Sequence, residues 1–304
     1  MQPALSIVVC TYNRQKFITA CLEHLAAQSL PAGQWEAIVV DNASTDQTAS
    51  LVQAFMQAHP QVPLRYVYEA QKGLSHARNR GIAEARAPIV SFIDDDAEAV
   101  PGFAAELLHF FDTHPHAAGA GGRVLPKYSE KPEPAWMNKY LNGYIGKVDH
   151  GEGPIRRFAG RMKYPIGCNM AYRKALLLQA GGFRPDLTFR GDDKYIFYAV
   201  SAINPQVYYL HQAMVHHNID AHRLEFDYFK KLFLKTGNEE RRRIGTGGTI
   251  AVLAKLAEYM AKWAVSVGLW GVFTLRGQYS KGLYTMYSQW FTLQGFLTRE
   301  VFVR

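Results

Sequence analysis

Cysteine is scarce: the 304 residues include three, Cys10, Cys21 and Cys168. An odd count without metal-like spacing excludes a disulfide scaffold and predicts a reducing compartment, the cytosol by default. Long apolar runs are also missing. Two late uncharged stretches, Trp263 to Leu275 and Gly282 to Thr298, fall short of the roughly 20 apolar residues a spanning helix needs, so no transmembrane helix is expected. The first residues lack the charged, apolar, small-residue order of a signal peptide. Neither a G-x-G-x-x-G nor a G-x-x-x-x-G-K-S/T run occurs, which leaves the dinucleotide and Walker phosphate loops without support. Net charge is moderate at +8, from 34 Lys and Arg against 26 Asp and Glu, too balanced for a disordered basic arm. With 48% hydrophobic residues the chain can bury a sizeable core, as one large domain or two at about 150 residues each.

The first half alternates short β-branched runs with helical patterns. Leu5 to Cys10, Trp35 to Val40, Leu64 to Tyr68 and Ile89 to Ile93 read as strands, with helices over Lys16 to Gln28 and Thr45 to His59 between them. Runs as continuously apolar as SIVVC and AIVV imply strands covered on both faces, hence a largely parallel sheet between helices. Ligands of such sheets bind at the carboxyl ends of the strands. Residues Pro126 to Lys163 break into Pro, Gly, charge and scattered aromatics (Trp136, Tyr140, Tyr144), long enough to suggest a lid or acceptor loop. Order returns over Pro165 to Gly182 and Asp192 to Ala202, with a strand-like Gln206 to Val215.

Polar residues collect at the strand ends. The first strand runs into Thr11-Tyr12-Asn13-Arg14 and the second into Asp41-Asn42-Ala43-Ser44-Thr45-Asp46. Asp41 could accept a hydrogen bond from a base ring N–H, or Asp41, Asn42, Ser44 and Asp46 could serve as turn and capping residues. Asn42-Ala43-Ser44 also fits a glycosylation sequon, improbable in such a loop. In KGLSHARNRG (72–81), Arg78 and Arg80 are either phosphate contacts or a solvated basic face. Asp94, Asp95 and Asp96 follow directly on the fourth strand. Adjacent carboxylates raise one another's pKa unless a cation or hydrogen-bond donors offset them. A divalent cation with hard oxygen ligands, Mg²⁺ or Mn²⁺, meets that need, the plain alternative being an acidic loop capping the helix near Pro101. Asp192 and Asp193 open a later helix, where the dipole favours acids whatever their job; one of them could act as a general base. Among His211, His216, His217 and His222 the zinc-finger cysteines are lacking, so a structural zinc site is not expected. Strand alternation lets one of His216 and His217 face the acids.

In order, TYNR, DNASTD, KGLSHARNRG, FIDDDAE, GCNMAYRK with GGF, and GDD resemble the family-two inverting glycosyltransferases of the GT-A fold, over about residues 4 to 240. The resemblance implies an α/β, Rossmann-like, mostly parallel sheet sandwiched by helices, a nucleotide-sugar donor, a divalent metal (Mn²⁺ or Mg²⁺) at a DXD-like motif, and single-displacement transfer with inversion. Residue by residue, Thr11, Tyr12 and Arg14 look like nucleotide contacts, Asp41 like the uracil-binding acid and Arg78 like a contact near the diphosphate. Asp94 and Asp95 match the nucleotide side of the DXD region and Asp96 its metal ligand. Asp193, beside Asp192, matches the base of the family's Glu-Asp pair, and His217 its late metal-side histidine. The pattern places a catalytic domain at 1–225, with a nucleotide-sugar half to about 125 and an acceptor half from about 126, and a helical region at 226–304.

That last region shows Leu253, Leu256, Met260, Trp263, Val267 and Trp270 at alternating spacings of three and four, and again Leu283, Tyr287, Trp290 and Leu297, preceded by Lys230, Lys231 and Arg241 to Arg243. Two uses stay open: contact with an anionic membrane surface, or packing on the catalytic domain or in a homo-oligomer. A glycan or lipid-linked acceptor in cell-surface polysaccharide synthesis, and a cytoplasmic chain peripheral to the inner face of the membrane, fit the first use. Other classes are a nucleotidyltransferase making a sugar nucleotide, whose Gly-rich loop TYNRQKF does not provide, and a non-catalytic glycan- or nucleic-acid-binding protein. Nucleic acid is not an expected partner, because unscreened strand-end acids repel phosphates.

Overall fold

The computed structural model describes residues 2–160, 162–186, 191–245 and 248–298. The Phe-Arg ahead of Gly191, residues 246–247 and residues 299–304 of the tail lie outside them. The chain separates into two compact units, residues 1–127 with 146–218, and 128–145 with 219–304.

The first unit is built on one sheet. Strands β1 (Leu5–Thr11), β2 (Trp35–Asp41), β3 (Leu64–Tyr68) and β4 (Ile89–Asp94) are parallel in the order β3-β2-β1-β4. Beyond β4 the sheet continues through β8 (Met170–Arg173), β6 (Gly119–Lys127), β9 (Val207–Asn218) and β5 (Ala97–Ala99), with β7 (Arg156–Arg157) on β9. Here it turns mixed: β8 runs antiparallel to both β4 and β6, and β5 antiparallel to β9. The parallel expectation therefore holds for the first four strands and for β6 with β9. A four-residue strand cannot signal its direction by composition.

Helices cover both faces, which is why β1 and β2 are apolar almost throughout. On one side α1 (Ile18–Ala26), α2 (Thr48–Ala58) and α4 (Phe103–Thr113) pack Leu22, Phe55 and Leu107 against Ile7 and Val9. On the other, α3 (Leu74–Glu84), α5 (Lys174–Gln179) and α6 (Asp192–Ile203) pack Ile82, Leu177 and Ile196 against Val8 and Ile38. Helix α2 begins at Thr48, later than its apolar pattern, after a turn in which Asp46 Oδ1 accepts the Thr48 N–H at 2.9 Å and the Thr48 hydroxyl at 2.6 Å.

The second unit contains α7 (Phe226–Gly245), α8 (Gly248–Leu275) and α9 (Tyr279–Leu297), plus 3-10 turns at Lys139–Tyr144 and Ala221–Leu224. Two glycines let α7 and α9 touch backbone to backbone: a Cβ on Gly237 would overlap the Thr292 carbonyl, and one on Gly295 that of Leu234. Trp136 stacks on Tyr284 at 4.5 Å, and Tyr144 packs on Phe229 and Phe233. Two of the aromatics expected in a lid are thus core of this unit, and Asn138 Nδ2 ties the segment to Lys281 O and Thr285 Oγ1, both at 3.1 Å.

The expected stripe on α8 needs correction. Leu256 and Trp263 pack toward α9 with Val252 and Tyr259, whereas Leu253, Met260 and Val267 are exposed. On α9, Trp290 and Leu297 are likewise exposed, while Thr285, Ser288 and Phe291 are buried. The reason is that α8 is apolar nearly all round, so spacings of three and four fit more than one face.

Candidate active site

The strand-end residues converge as the parallel sheet requires. Thr11 and Asp41 are register partners at the ends of β1 and β2, and Asp94 closes β4 beside them. The two turns that follow are laced together. Asn13 adopts a left-handed φ of 53°, its Oδ1 accepts the Thr45 N–H at 2.7 Å, and its own N–H donates to Ser44 Oγ at 3.0 Å.

Asp41 is buried, with Oδ1 accepting the Ser44 N–H at 3.0 Å and Oδ2 accepting the Tyr66 hydroxyl at 2.7 Å. Burial and the Asp41 carboxylate together push the Tyr66 phenol up. Asn42 clips the next loop, donating to Glu69 O and Gln71 O and accepting from Gly73 N–H at 2.6 Å. Turn-building is therefore part of what Asp41, Asn42 and Asp46 do. A carboxylate has about four lone-pair sites, so these two bonds leave Asp41 capacity for a base N–H. Tyr12 stands exposed at the rim with the Lys72 ammonium 5.3 Å from its ring centre.

Arg14 turns inward, its Nε 3.3 Å from Asp95 and Nη2 3.7 Å from Asp96. Burial drives the Asp95 carboxyl well above the ordinary range, against the pull of Arg14, and Asp94 is raised by burial against the pull of Arg78. Strand β5 pairs with β9 so that Ala97 faces His217, which sets His217 Nε2 3.3 Å from Asp96 Oδ1; both side chains are buried. His216 belongs to the opposite face by alternation.

Arg78 is deeply buried. Its guanidinium bonds Asp192, lies 3.5 Å from Asp94 and sits over the Phe183 ring at 5.3 Å. Arg80, by contrast, is half exposed and pairs with Glu84 at 2.9 Å. Asp193 is held by backbone donors, with Oδ2 accepting the Gly167 N–H at 3.3 Å and Oδ1 that of Lys194 at 2.7 Å. Burial lifts the Asp193 carboxyl above the ordinary carboxylate range, with Asp192 adding to the lift and Arg78 offsetting part.

Three contributors carry no chemistry of their own and were not singled out by type. Tyr66 holds Asp41. Gly167 leaves the space that the Arg78 guanidinium fills, since a Cβ there would overlap it. Asn79 clamps the GGF turn, donating to Phe183 O at 2.7 Å and accepting its N–H at 2.8 Å. The PIGCN and GGF motifs were the available signal for the last two.

Among the described residues no three His, Cys, Asp or Glu side chains converge as a ready-made metal cage. The donor set still fits a hard divalent cation, because Asp96 with His217 offers the one or two protein ligands that such ions combine with water and substrate phosphates.

The Glycosyl transferase family 2 profile matches residues 6–179, more than half of the chain. The chain belongs to glycosyl transferase family 2. It is 24% identical over 235 residues to the glucosyl-dolichyl phosphate glucuronosyltransferase of Haloferax volcanii, covering 74% of this chain and 72% of that protein. A mannosyltransferase, PcManGT from Pyrobaculum calidifontis, in complex with GDP-Man and Mn²⁺, superposes with a TM-score of 0.61 at 18% identity, over 95% of this chain and 86% of its own. S. aureus TarS 1-349 in complex with UDP superposes with a TM-score of 0.53 at 22% identity, over 77% of this chain. This glycosyltransferase spans 66% of that TarS chain. The shared architecture is the GT-A fold. No helix among the described residues is long and apolar enough to cross a membrane.

Proposed function

We propose that this glycosyltransferase moves a sugar, with inversion, from a nucleoside-diphosphate donor, a UDP-sugar by preference, to a hydroxyl of a glycan or lipid-linked acceptor in cell-surface polysaccharide synthesis. The observation that carries it is the meeting of Asp94, Asp95 and Asp96, paired with Arg14 and Arg78 at the carboxyl end of the parallel strand β4, with the separately held Asp193 at the start of α6. UDP rests on Asp41 and the base N–H it can accept, and is supported by the UDP in the TarS complex.

Thr11, Tyr12, Arg14 and Asp41 bind and orient the nucleotide, with Asp94 and Asp95 on its ribose and diphosphate side. Arg78 keeps Asp94 and Asp192 in place and supplies positive charge beneath the diphosphate. Asp96 and His217 would hold Mn²⁺ or Mg²⁺, which when bound supplies charge stabilisation for the leaving diphosphate. Asp193 takes the proton of the acceptor hydroxyl as its oxygen attacks the anomeric carbon and the bond to the diphosphate oxygen breaks. Asp192, neutralised by Arg78, orients the helix start. Residues 226–304 make a peripheral contact with the inner face of the cell membrane, where a lipid-linked acceptor resides, on a cytoplasmic enzyme.

Release of nucleoside diphosphate from a panel of UDP-, GDP- and TDP-sugars, with and without Mn²⁺, tests this reading. One donor should turn over with metal and lose turnover in Asp193→Asn; turnover surviving that change removes the assigned base.

A further inference from the structure

Helix α8 has one face that nothing among the described residues covers. Its other side packs on α9 through Leu256, Tyr259 and Trp263, yet Ile250 is 85% exposed, Leu253 58%, Met260 55% and Leu275 90%, with Val265 and Val272 exposed between them. At 1.5 Å per residue its 28 residues extend about 42 Å. The face stays free of charge for that whole length. The charged residues of α8 are Lys255, Glu258 and Lys262, which lie along one flank, linked to one another and, through Lys255, to Glu240 of α7 at 3.4 Å. Exposed apolar area on this scale marks an interaction surface.

Charge distinguishes the candidate occupants. Residues 128–145 and 219–304 hold 15 Lys and Arg against 9 Asp and Glu, so this unit carries six of the chain's eight excess positive charges. Such an excess opposes a second copy of the same unit and favours an anionic partner. An apolar partner face that is also anionic and about 40 Å long or more describes a lipid bilayer surface, in which an amphipathic helix lies flat with its apolar side at the acyl boundary. Exposed Tyr279 and Trp290 beside α8 suit the headgroup level.

We propose that the Ile250-to-Leu275 face of α8 beds into the surface of an anionic lipid bilayer. This rests on the peripheral-membrane part of the function proposed above and assigns the surface responsible. The face differs from the stripe legible in the sequence, since Leu256 and Trp263 serve the α9 seam and Ile250, Val265 and Val272 take their place.

The test floats the full chain on a density gradient with vesicles of phosphatidylcholine alone and of phosphatidylcholine with phosphatidylglycerol, beside the double variant Leu253→Glu/Met260→Glu. Light scattering gives the oligomeric state of both proteins. Wild type should float with the anionic vesicles as a monomer, and the double variant should partition at least about tenfold less, with unchanged melting temperature and unchanged nucleotide binding. Equal flotation of the two proteins overturns the assignment of the α8 face while sparing peripheral attachment. Absence of flotation with either vesicle overturns both. A wild-type dimer that the double variant converts to monomer shows that a second copy covers the face instead.

Discussion

Asp192 and Asp193 are neighbours in sequence with opposite attachments: the buried Arg78 guanidinium grips the Asp192 carboxylate, while the Asp193 carboxylate accepts the backbone N–H groups of Gly167 and Lys194. An ion-paired carboxylate is a poor proton acceptor, whereas one raised by burial is poised for the task. On the proposed function the two acids divide structure from chemistry, Asp192 holding Arg78 and Asp193 serving as the base.

Asp193→Asn should lower kcat by about 10² to 10⁴ with near-normal stability. Asp192→Asn removes a partner of a buried cation and should destabilise the fold, toward the lower end of about 3–5 kcal/mol because Asp94 remains 3.5 Å from Arg78. Urea unfolding and single-donor kinetics on the two variants check the division, and the reverse ranking contradicts it.

The pH profile follows from the same group. With its folded pKa raised, Asp193 favours the protonated form in the native state, so its contribution to stability is full below the unfolded value and is lost as pH rises through the folded one. Catalysis needs the opposite form. The acidic limb of kcat/KM should therefore lie above the ordinary carboxylate value of about 3.9, and a limb at or below that value argues against Asp193 as the base.

Tyr66→Phe removes the hydroxyl that donates to Asp41 at 2.7 Å. A hydrogen bond to a charged group contributes about 1.5–3 kcal/mol, which urea unfolding should show as lost stability. Nucleotide Kd should rise in parallel as the Asp41 carboxylate loses its position, with kcat at saturating donor little changed.

Gly167→Ala places a methyl group where the Arg78 guanidinium lies. Overpacking there should cost about 1–3 kcal/mol, and because Arg78 links Asp94 to Asp192 it should lower kcat as well. Melting and turnover measured together check this, and a variant with wild-type values in both would remove Gly167 from the account.

The parallel half of the sheet was legible because β1, β2 and β4 are buried on both faces and therefore continuously apolar, and their polar ends announced Asp41 and Asp94 to Asp96. The pairing of β5 with β9 was not, since Ala97 to Ala99 is too short for a periodic signal; yet that register is what carries His217 to Asp96. By type Arg78 reads as a phosphate contact or as part of a solvated basic face. Its burial depends on three distant features, the missing side chain of Gly167, the Phe183 ring and Asp192, which no local pattern joins. Helix α8 shows a different limit: an apolar pattern around most of its circumference, outside the Lys255–Glu258–Lys262 flank, leaves its packed face undetermined until α9 is in place.

The central claim, a metal-assisted nucleotide site at Asp94 to Asp96, is tested most directly by thermal-shift binding of UDP, GDP, TDP and CMP, each with and without Mn²⁺, on wild type and Asp96→Ala. Ligand at about 100 times its Kd stabilises by about 2.7 kcal/mol, well within detection. Stabilisation by one nucleoside diphosphate that requires Mn²⁺ and is lost in Asp96→Ala is the predicted result; no shift with any of the four, or a shift indifferent to both metal and Asp96, contradicts the account.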